Sequence, residues 1–234
     1  VVNAYVTPVL DAYIGRLQNE LPDNVRRLRV MQSNGGTISA SEARITGVKS
    51  IVSGPAGGVV GALSVSQMSG NNQIITLDMG GTSTDVSLIQ GDPKLTSQSV
   101  VGGVPIRIPM IDIHTVGAGG GSIAYVDAGG ALKVGPKSAG AHPGPACYGL
   151  GGDYPTVTDA NIVLGRIRPE HFLGGKMNID ETRADNVLTQ LAKRAKLAKR
   201  TALTIAQSAA LGIVEVTNAH MERALRLISV QRGY

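Results

Sequence analysis

Asp78-Met79-Gly80-Gly81-Thr82-Ser83-Thr84-Asp85-Val86-Ser87-Leu88-Ile89 is the stretch that decides how this 234-residue sequence is read. Ile74, Ile75 and Leu77 before it place apolar side chains in a strand over 73–78. Val86, Leu88 and Ile89 do the same for a strand over 85–90. The segment between them therefore joins strand to strand, unlike the strand–loop–helix of a P-loop. An acid closes the first strand and two glycines free the backbone for positive φ. Three hydroxyl residues follow, and a second acid opens the returning strand. Backbone N–H groups in such a turn can converge on phosphate oxygens, with the hydroxyls of Thr82, Ser83 and Thr84 beside them. Asp78 then stands where a carboxylate holds Mg²⁺ through water or orients an attacking water. Asp85 is assigned to steadying the loop. The competing reading is a plain polar hairpin turn, but a tight hairpin seldom needs two acids and three hydroxyls together.

Immediately upstream, Ser53-Gly54-Pro55-Ala56-Gly57-Gly58 opens a helix running to Met68, capped by Ser53 or Gly54, with Pro55 in the first turn where proline is tolerated. Gly57, Gly58, Gly61 and Ala62 give it a small-residue face that another backbone can approach. Residues 48–52 are apolar and β-branched and read as a strand. Ser33-Asn34-Gly35-Gly36 is a turn signal after a strand at 29–32. Ser39 or Ser41 caps a brief helix to Ile45, and Glu42 follows Ser39 at capping-box spacing. At the N-terminus Val2, Val6, Val9, Leu10, Tyr13, Leu17 and Leu21 recur at helical spacing, which predicts an amphipathic helix kinked or restarted at Pro8.

Downstream, a β-rich zone is expected with strands at 100–104, 106–110, 111–116, 122–126 and 131–134. A long loop at 135–152 follows, of a length usually tied to function or an interface. Helices are predicted at 160–164, 180–199 and 203–230. The expected sub-parts are a phosphate-hairpin half (1–95), a β-rich and loop insertion (96–155) and a helical part (156–234).

Composition narrows the function classes. Hydrophobic residues form 42% and charged residues 17% of the chain, the balance of a globular protein rather than a disordered one. Six Tyr, one Phe and no Trp leave few rings for bases to stack on, which argues against single-stranded nucleic acid. The net charge of +5 suits an anionic ligand but is diffuse. A single cysteine excludes an internal disulfide and a Cys-rich zinc site. No apolar run is long enough to span a bilayer and no signal-peptide pattern opens the chain, so a cytoplasmic protein is expected.

Other segments carry possible chemistry. On one strand, Asp112 and His114 would share a face, as an acid–base pair, as two metal ligands with His142 as a third, or as a structural pair. Gly117, Gly119, Gly120 and Gly121 fit no dinucleotide fingerprint, and the run is read as a loop lining a nucleotide or substrate cleft in preference to a plain turn. Gly119 and Gly120 are therefore candidate cofactor contacts. Cys147, five residues after His142, is either a nucleophile or a buried small hydrophobe, and the lone-cysteine reading favours burial. Thr156-Val157-Thr158-Asp159 reads as a capped helix start, with Thr158 or Asp159 as the cap. The basic run Lys193-Arg194-Ala195-Lys196 reads as a solvated helix face.

The block of strand, SGPAGG helix, strand and glycine hairpin resembles actin, the heat-shock chaperones and the sugar kinases. That resemblance implies an α/β actin-like ATPase (ribonuclease H-like) fold with a β-rich insertion and a helical C-terminal part. It also implies that the 78–85 hairpin is the second of two phosphate hairpins. No second Asp-x-Gly-Gly-Thr occurs in the sequence and no methionine starts it, so the expectation is an excised portion or a first loop supplied by another polypeptide.

At family level MQSNGGTISASEA, SGPAGGVVGA, LDMGGTSTDVSLI, DIHTVGAGGGSIA, VGPKSAGAHPGPACYG and PTVTDANIVLGR resemble hydantoinase A and 5-oxoprolinase, and the acetone carboxylase β-type subunits share much of the pattern. The resemblance implies ATP, used with Mg²⁺, while a second divalent metal is the metal-ligand reading of Asp112, His114 and His142. The resemblance also implies ATP-dependent opening of a cyclic amide such as a hydantoin, N-methylhydantoin or 5-oxoproline. A partner subunit of hydantoinase B type is implied, and self-association is plausible from the long apolar C-terminal helix. Two alternatives stay open: a β-type subunit of an ATP-dependent ketone (acetone or acetophenone) carboxylase, and a non-catalytic nucleotide-binding or assembly module.

Overall fold

Apolar spacing at the N-terminus does build a helix: α1 (Val2–Glu20) runs unbroken through Pro8, where the sequence suggested a kink or restart. The structure is a computed structural model that describes residues 1–22, 24 and 27–234. It divides into two compact units, Val1–Asp78 with Val86–His114, and Met79–Asp85 with Thr115–Tyr234.

In the first unit α1 buries Ile14, with Leu10, against Ile38, Ala40 and Ala43. Strands β1 (Arg29–Met31) and β2 (Thr37–Ser39) form an antiparallel hairpin. Its turn needs glycine at 35, where φ is +84° and a Cβ would lie 2.9 Å from Val60 Cγ2. Ser39 caps α2 (Ala40–Ala43), its Oγ accepting the Glu42 N–H at 3.1 Å, and the helix ends two residues before Ile45.

Residues 48–52 are not a strand. They fall in a 3-10 turn at Gly47–Ser50 and the approach to the next helix. Backbone groups that a ladder would have used are taken by residues from other segments. Asn3 Oδ1 accepts the Val48 N–H at 3.1 Å, and the Lys49 carbonyl accepts both the Ser33 N–H at 2.7 Å and its Oγ at 2.9 Å. Apolar β-branched composition alone does not make a strand when its partners are spoken for.

Helix α3 (Ser53–Met68) follows, as the SGPAGG reading expects, though Val52 precedes it without any side-chain cap. It buries Ala56 and Val59 with Ile89 and Ile111. Strands β3 (Gln73–Met79), β4 (Thr84–Gln90), β5 (Asp92–Pro93), β6 (Leu95–Thr96), β7 (Ser99–Val101), β8 (Val104–Ile106), β9 (Met110–Ile111) and β10 (His114–Val116) come next, with β4 lying between β3 and β10. The expected strand at 100–104 is interrupted by Gly102 and Gly103, both at positive φ, which fold it back as the β7–β8 hairpin. The expected strand at 111–116 also divides. Asp112 donates its N–H to the Lys94 carbonyl at 2.8 Å and accepts the Ser87 hydroxyl at 2.9 Å, so β9 pairs with β6 while β10 joins a different sheet.

The second unit is built from the antiparallel pair β11 (Ser122–Val126) and β12 (Leu132–Ser138) with three helices, α4 (Val157–Val163), α5 (Glu181–Arg194) and α6 (Ile205–Ile228). Its core joins Ala124 and Val134 of the strands to Val157, Leu188, Leu191, Ile213 and Val214 of the helices. Ala206, Ala209 and Ala210 thin the inward face of α6, and small residues there let neighbouring helices approach. The apolar face of α6 is thus spent inside the unit, which removes the feature on which self-association had rested. Asp180 and Thr204 cap α5 and α6, and both helices stop short of the ends expected from hydrophobicity. No helix among the described residues is long and apolar enough to cross a membrane.

Truncating Ile213, which is wholly buried, is expected to cost about 2–5 kcal/mol in denaturant unfolding followed by far-UV circular dichroism. Val230→Ala, at an exposed site, should stay within roughly 0.5 kcal/mol of the parent. Equal effects would mean that α6 is not the packing centre of its unit.

Candidate functional site: a braced glycine hairpin

The tip of the β3–β4 hairpin closes through the Gly80 N–H, which donates to the Ser83 carbonyl at 2.9 Å. Gly80, Gly81 and Thr82 are exposed and Ser83 is half-buried. The N–H groups of Gly81, Thr82 and Ser83 find no acceptor among the described residues. Exposed backbone donors crowded on a glycine turn are the raw material of an anion site.

Behind the tip Thr84 and Asp85 are both engaged. Thr84 is wholly buried, and its Oγ1 donates to the Ala118 carbonyl at 2.6 Å. Its hydroxyl proton is spent inside the fold, so Thr84 supports the loop. Asp85 accepts the Thr115 hydroxyl on Oδ1, which ties the start of β4 to β10. Asp78 is exposed on the strand leading in, and no ion-pair partner is found for it among the described residues. Its Oδ2 lies 3.4 Å from where a Cβ on Gly58 would be, so the small-residue face of α3 makes room for this carboxylate.

The second glycine run lies directly against the hairpin. Gly120 donates its N–H to the Gly80 carbonyl at 2.9 Å and Gly121 donates to the Gly81 carbonyl at 2.6 Å. Gly119 donates to Ser122 Oγ at 2.8 Å. A Cβ on Gly119 would lie 2.6 Å from the Gly80 carbonyl oxygen and 2.8 Å from the Thr82 nitrogen. Gly119, and Gly121 with its Cβ position 2.8 Å from the Gly81 carbonyl oxygen, are required by proximity, because only bare backbone fits there. The N–H groups of Gly119 and Gly120 already have acceptors inside the fold, so these two residues brace the hairpin and leave no free donor of their own.

Two further supports gave no signal in the sequence. Ser138, at the end of β12, donates its Oγ to the Gly81 carbonyl at 3.3 Å and stands 3.5 Å from the Thr82 hydroxyl. Thr158, in the first turn of α4, donates both its N–H (2.8 Å) and its Oγ1 (2.9 Å) to the Gly120 carbonyl. Separations of 56 and 38 residues lie beyond any local pattern.

The 156–159 segment is the capped helix start expected, with Thr156 as the cap instead of Thr158 or Asp159. Asp159 sits at the third helical position and completes a capping box. Its buried carboxylate accepts Thr156 Oγ1 at 2.7 Å, the Thr156 N–H at 2.9 Å, the Cys147 N–H at 2.8 Å and the Ala146 N–H at 3.3 Å. Those last two bonds pin the proline-rich loop to α4. Burial first, and then the Asp159 carboxylate, push the Cys147 thiol far above its ordinary range. A buried thiol held protonated beside a carboxylate is no nucleophile. The packing reading of Cys147 holds, with Ile162 and Ala184 around it. Burial likewise raises Tyr148, with Cys147 and Asp159 adding to the shift.

His114 is half-buried at the start of β10, Asp112 lies in the break before it, and His142 is exposed in the loop of the second unit. The break between β9 and β10 removes the strand alternation that had put Asp112 and His114 on one face. No group of three or more His, Cys, Asp or Glu side chains able to hold a metal ion occurs among the described residues. The expected metal set of Asp112, His114 and His142 therefore gains no support.

With this geometry in place, comparison with known proteins is direct. The hydantoinase/oxoprolinase family model matches residues 1–234, and the chain belongs to that family. The caprolactamase subunit alpha of Pseudomonas jessenii is 42% identical over 238 residues, spanning 100% of this chain and 33% of that protein. Among solved structures, the ATP-dependent caprolactamase from Pseudomonas jessenii is 40% identical with a TM-score of 0.76, covering 100% of this chain and 33% of that one. A nucleotide-free acetone carboxylase is 33% identical with a TM-score of 0.77, covering 89% of this chain and 28% of that one. The chain thus spans a third or less of the length of these relatives.

Gly119→Ala is expected to destabilise by about 1–3 kcal/mol in denaturant unfolding, because backbone and not a flexible side chain must yield. Cys147 should resist iodoacetamide in the folded protein at neutral pH and react fully once unfolded. Rapid alkylation of the native chain would contradict its burial.

Proposed function

We propose that this chain is the part of an ATP-dependent enzyme that carries one phosphate-binding hairpin, within a fold of the actin-like ATPase type. One observation carries the reading: the Gly81–Thr82–Ser83 turn leaves its N–H groups at the surface without acceptors among the described residues, while Thr84 behind it is anchored to the Ala118 carbonyl. Matches over 100% and 89% of the chain to two solved ATP-dependent enzymes support it.

In this reading Gly80, Gly81, Thr82 and Ser83 line the phosphates, with Thr82 and Ser83 offering hydroxyls as well as N–H groups. Asp78 holds Mg²⁺ through its water shell, for which its exposed carboxylate is suited. Asp85 and Thr84 keep the loop in place through Thr115 and Ala118. Preorganised donors of this kind act by position and charge, which is most of what phosphoryl transfer asks of a protein.

The substrate is a cyclic amide, as the family description and the caprolactamase relatives suggest. An amide is a poor electrophile, and ATP supplies the activation by converting its carbonyl oxygen into a leaving group that water can displace. The subunit naming of the caprolactamase relative supports assembly with a second polypeptide. Likeness to acetone carboxylase favours a second reading, in which the activated molecule is a ketone or bicarbonate.

Isothermal titration with ADP and Mg²⁺ tests the site. Wild type should bind, and Asp78→Ala should lose about tenfold or more in affinity, the scale of a lost charge-assisted interaction. Equal affinity in both proteins would remove Asp78 from the site. In the longer enzyme that carries this segment, ATP hydrolysis should rise with a lactam, hydantoin or 5-oxoproline. A rise with ketone and bicarbonate alone would select the carboxylase reading, and no rise under either condition would select a non-catalytic module.

A further inference from the structure

Ser138 ends β12, 56 residues from the hairpin tip that it touches. Its hydroxyl meets three groups. It donates to the Gly81 carbonyl at 3.3 Å, accepts the Gly140 N–H at 3.1 Å, and lies 3.5 Å from Thr82 Oγ1, which can donate to it. A serine hydroxyl has one proton to give and two lone pairs to offer, so these contacts use its whole capacity. The neighbouring Ala139 N–H donates to the Gly121 carbonyl at 2.8 Å, and Gly121 in turn donates to Gly81. The Gly81 carbonyl is therefore held from two sides, by Gly121 and by Ser138.

Gly81 and Thr82 are otherwise exposed, and two adjacent glycines leave the tip free to rotate its peptide planes. The Gly121 N–H holds the Gly81 carbonyl from one side, and the Ser138 hydroxyl, which also meets the Thr82 hydroxyl, adds the second hold that restricts those rotations. Fixing the Gly81–Thr82 peptide fixes where the Thr82 N–H points, because carbonyl and N–H of one peptide are antiparallel.

We infer that Ser138 is a positioning residue of the phosphate-binding hairpin: its hydroxyl clamps the Gly81–Thr82 peptide so that the tip N–H groups face a phosphate before one arrives. The inference rests on the phosphate-loop reading of residues 78–85. It adds a residue from a distant strand to that site and gives a reason for the segment Lys137-Ser138-Ala139-Gly140 to lie against it. Ser138 acts through the hairpin and is not itself a ligand of the phosphate.

The test compares wild type, Ser138→Ala and Ser138→Thr by nitrogen-relaxation order parameters of backbone amides and by ADP–Mg²⁺ titration. In Ser138→Ala the amides of Gly81 and Thr82 should become mobile while those of Gly119 and Gly120 stay ordered. Nucleotide affinity should fall about tenfold, the worth of a hydrogen-bonding junction of this kind. Ser138→Thr, which keeps the hydroxyl, should restore both, whereas a residue that served only to pack would not depend on the hydroxyl. Unchanged order at Gly81 and Thr82 in Ser138→Ala overturns the inference, whatever happens to binding. If Ser138→Ala loosens the tip but wild type does not bind ADP, the clamp stands and the phosphate-loop reading fails.

Discussion

Two stretches of bare backbone touching each other are the constraint on which the second unit depends. Gly120 and Gly121 reach Gly80 and Gly81 at hydrogen-bond distance, and Gly119 approaches so closely that a single methyl group would overlap the hairpin. No side chain mediates this contact, and none could be inserted. Glycine at interior positions costs stability, since the unfolded chain has more freedom to lose. Here that cost is offset by paired backbone groups and by a hairpin that arrives already shaped.

Order then propagates outward from that contact. Thr158 holds the Gly120 carbonyl with two bonds, which ties the glycine run to the first turn of α4. The same turn carries Asp159, whose carboxylate gathers the Ala146 and Cys147 N–H groups and so fixes the proline-rich loop. Helix α4 packs in turn with α5 and α6 around Leu188 and Ile213. A hydrophobic core of ordinary kind thus backs a polar network in which the buried Thr84, Thr158 and Asp159 side chains are all paired. Such a network stiffens its surroundings only when complete, because a buried group without a partner costs more than a made bond returns. The exposed tip crowds donors that find no acceptor among the described residues onto one turn, the kind of arrangement an anion can meet.

Much of this was legible in the chain. The apolar Ile74, Ile75 and Leu77, then the glycines and hydroxyls, marked β3, the turn and β4. The SGPAGG opening marked α3, and Ser39 with Glu42 marked a capped turn, all through contacts a few residues long. The failures share a cause as well. Residues 48–52 have the composition of a strand but give their backbone groups to Asn3 and Ser33, and residues 111–116 look continuous but break where Asp112 turns to Lys94. In each case a partner far along the chain outbid the local preference.

By itself the sequence determined what is local: the strand–turn–strand around Asp78 and Asp85, the need for glycine in the turn, the helix caps, and the family to which the motifs belong. Tertiary structure alone decided which of those residues stay exposed and which turn into the fold. Thr84 and Asp85 turned inward to Ala118 and Thr115, the run at Gly119–Gly121 became the brace of another loop, and Ser138 and Thr158 joined the site from distant elements. The reason is physical. Periodicity and turn chemistry report on neighbours within one or two turns of chain, whereas the partner of a buried donor is set by whichever acceptor packing brings within about 3 Å of it.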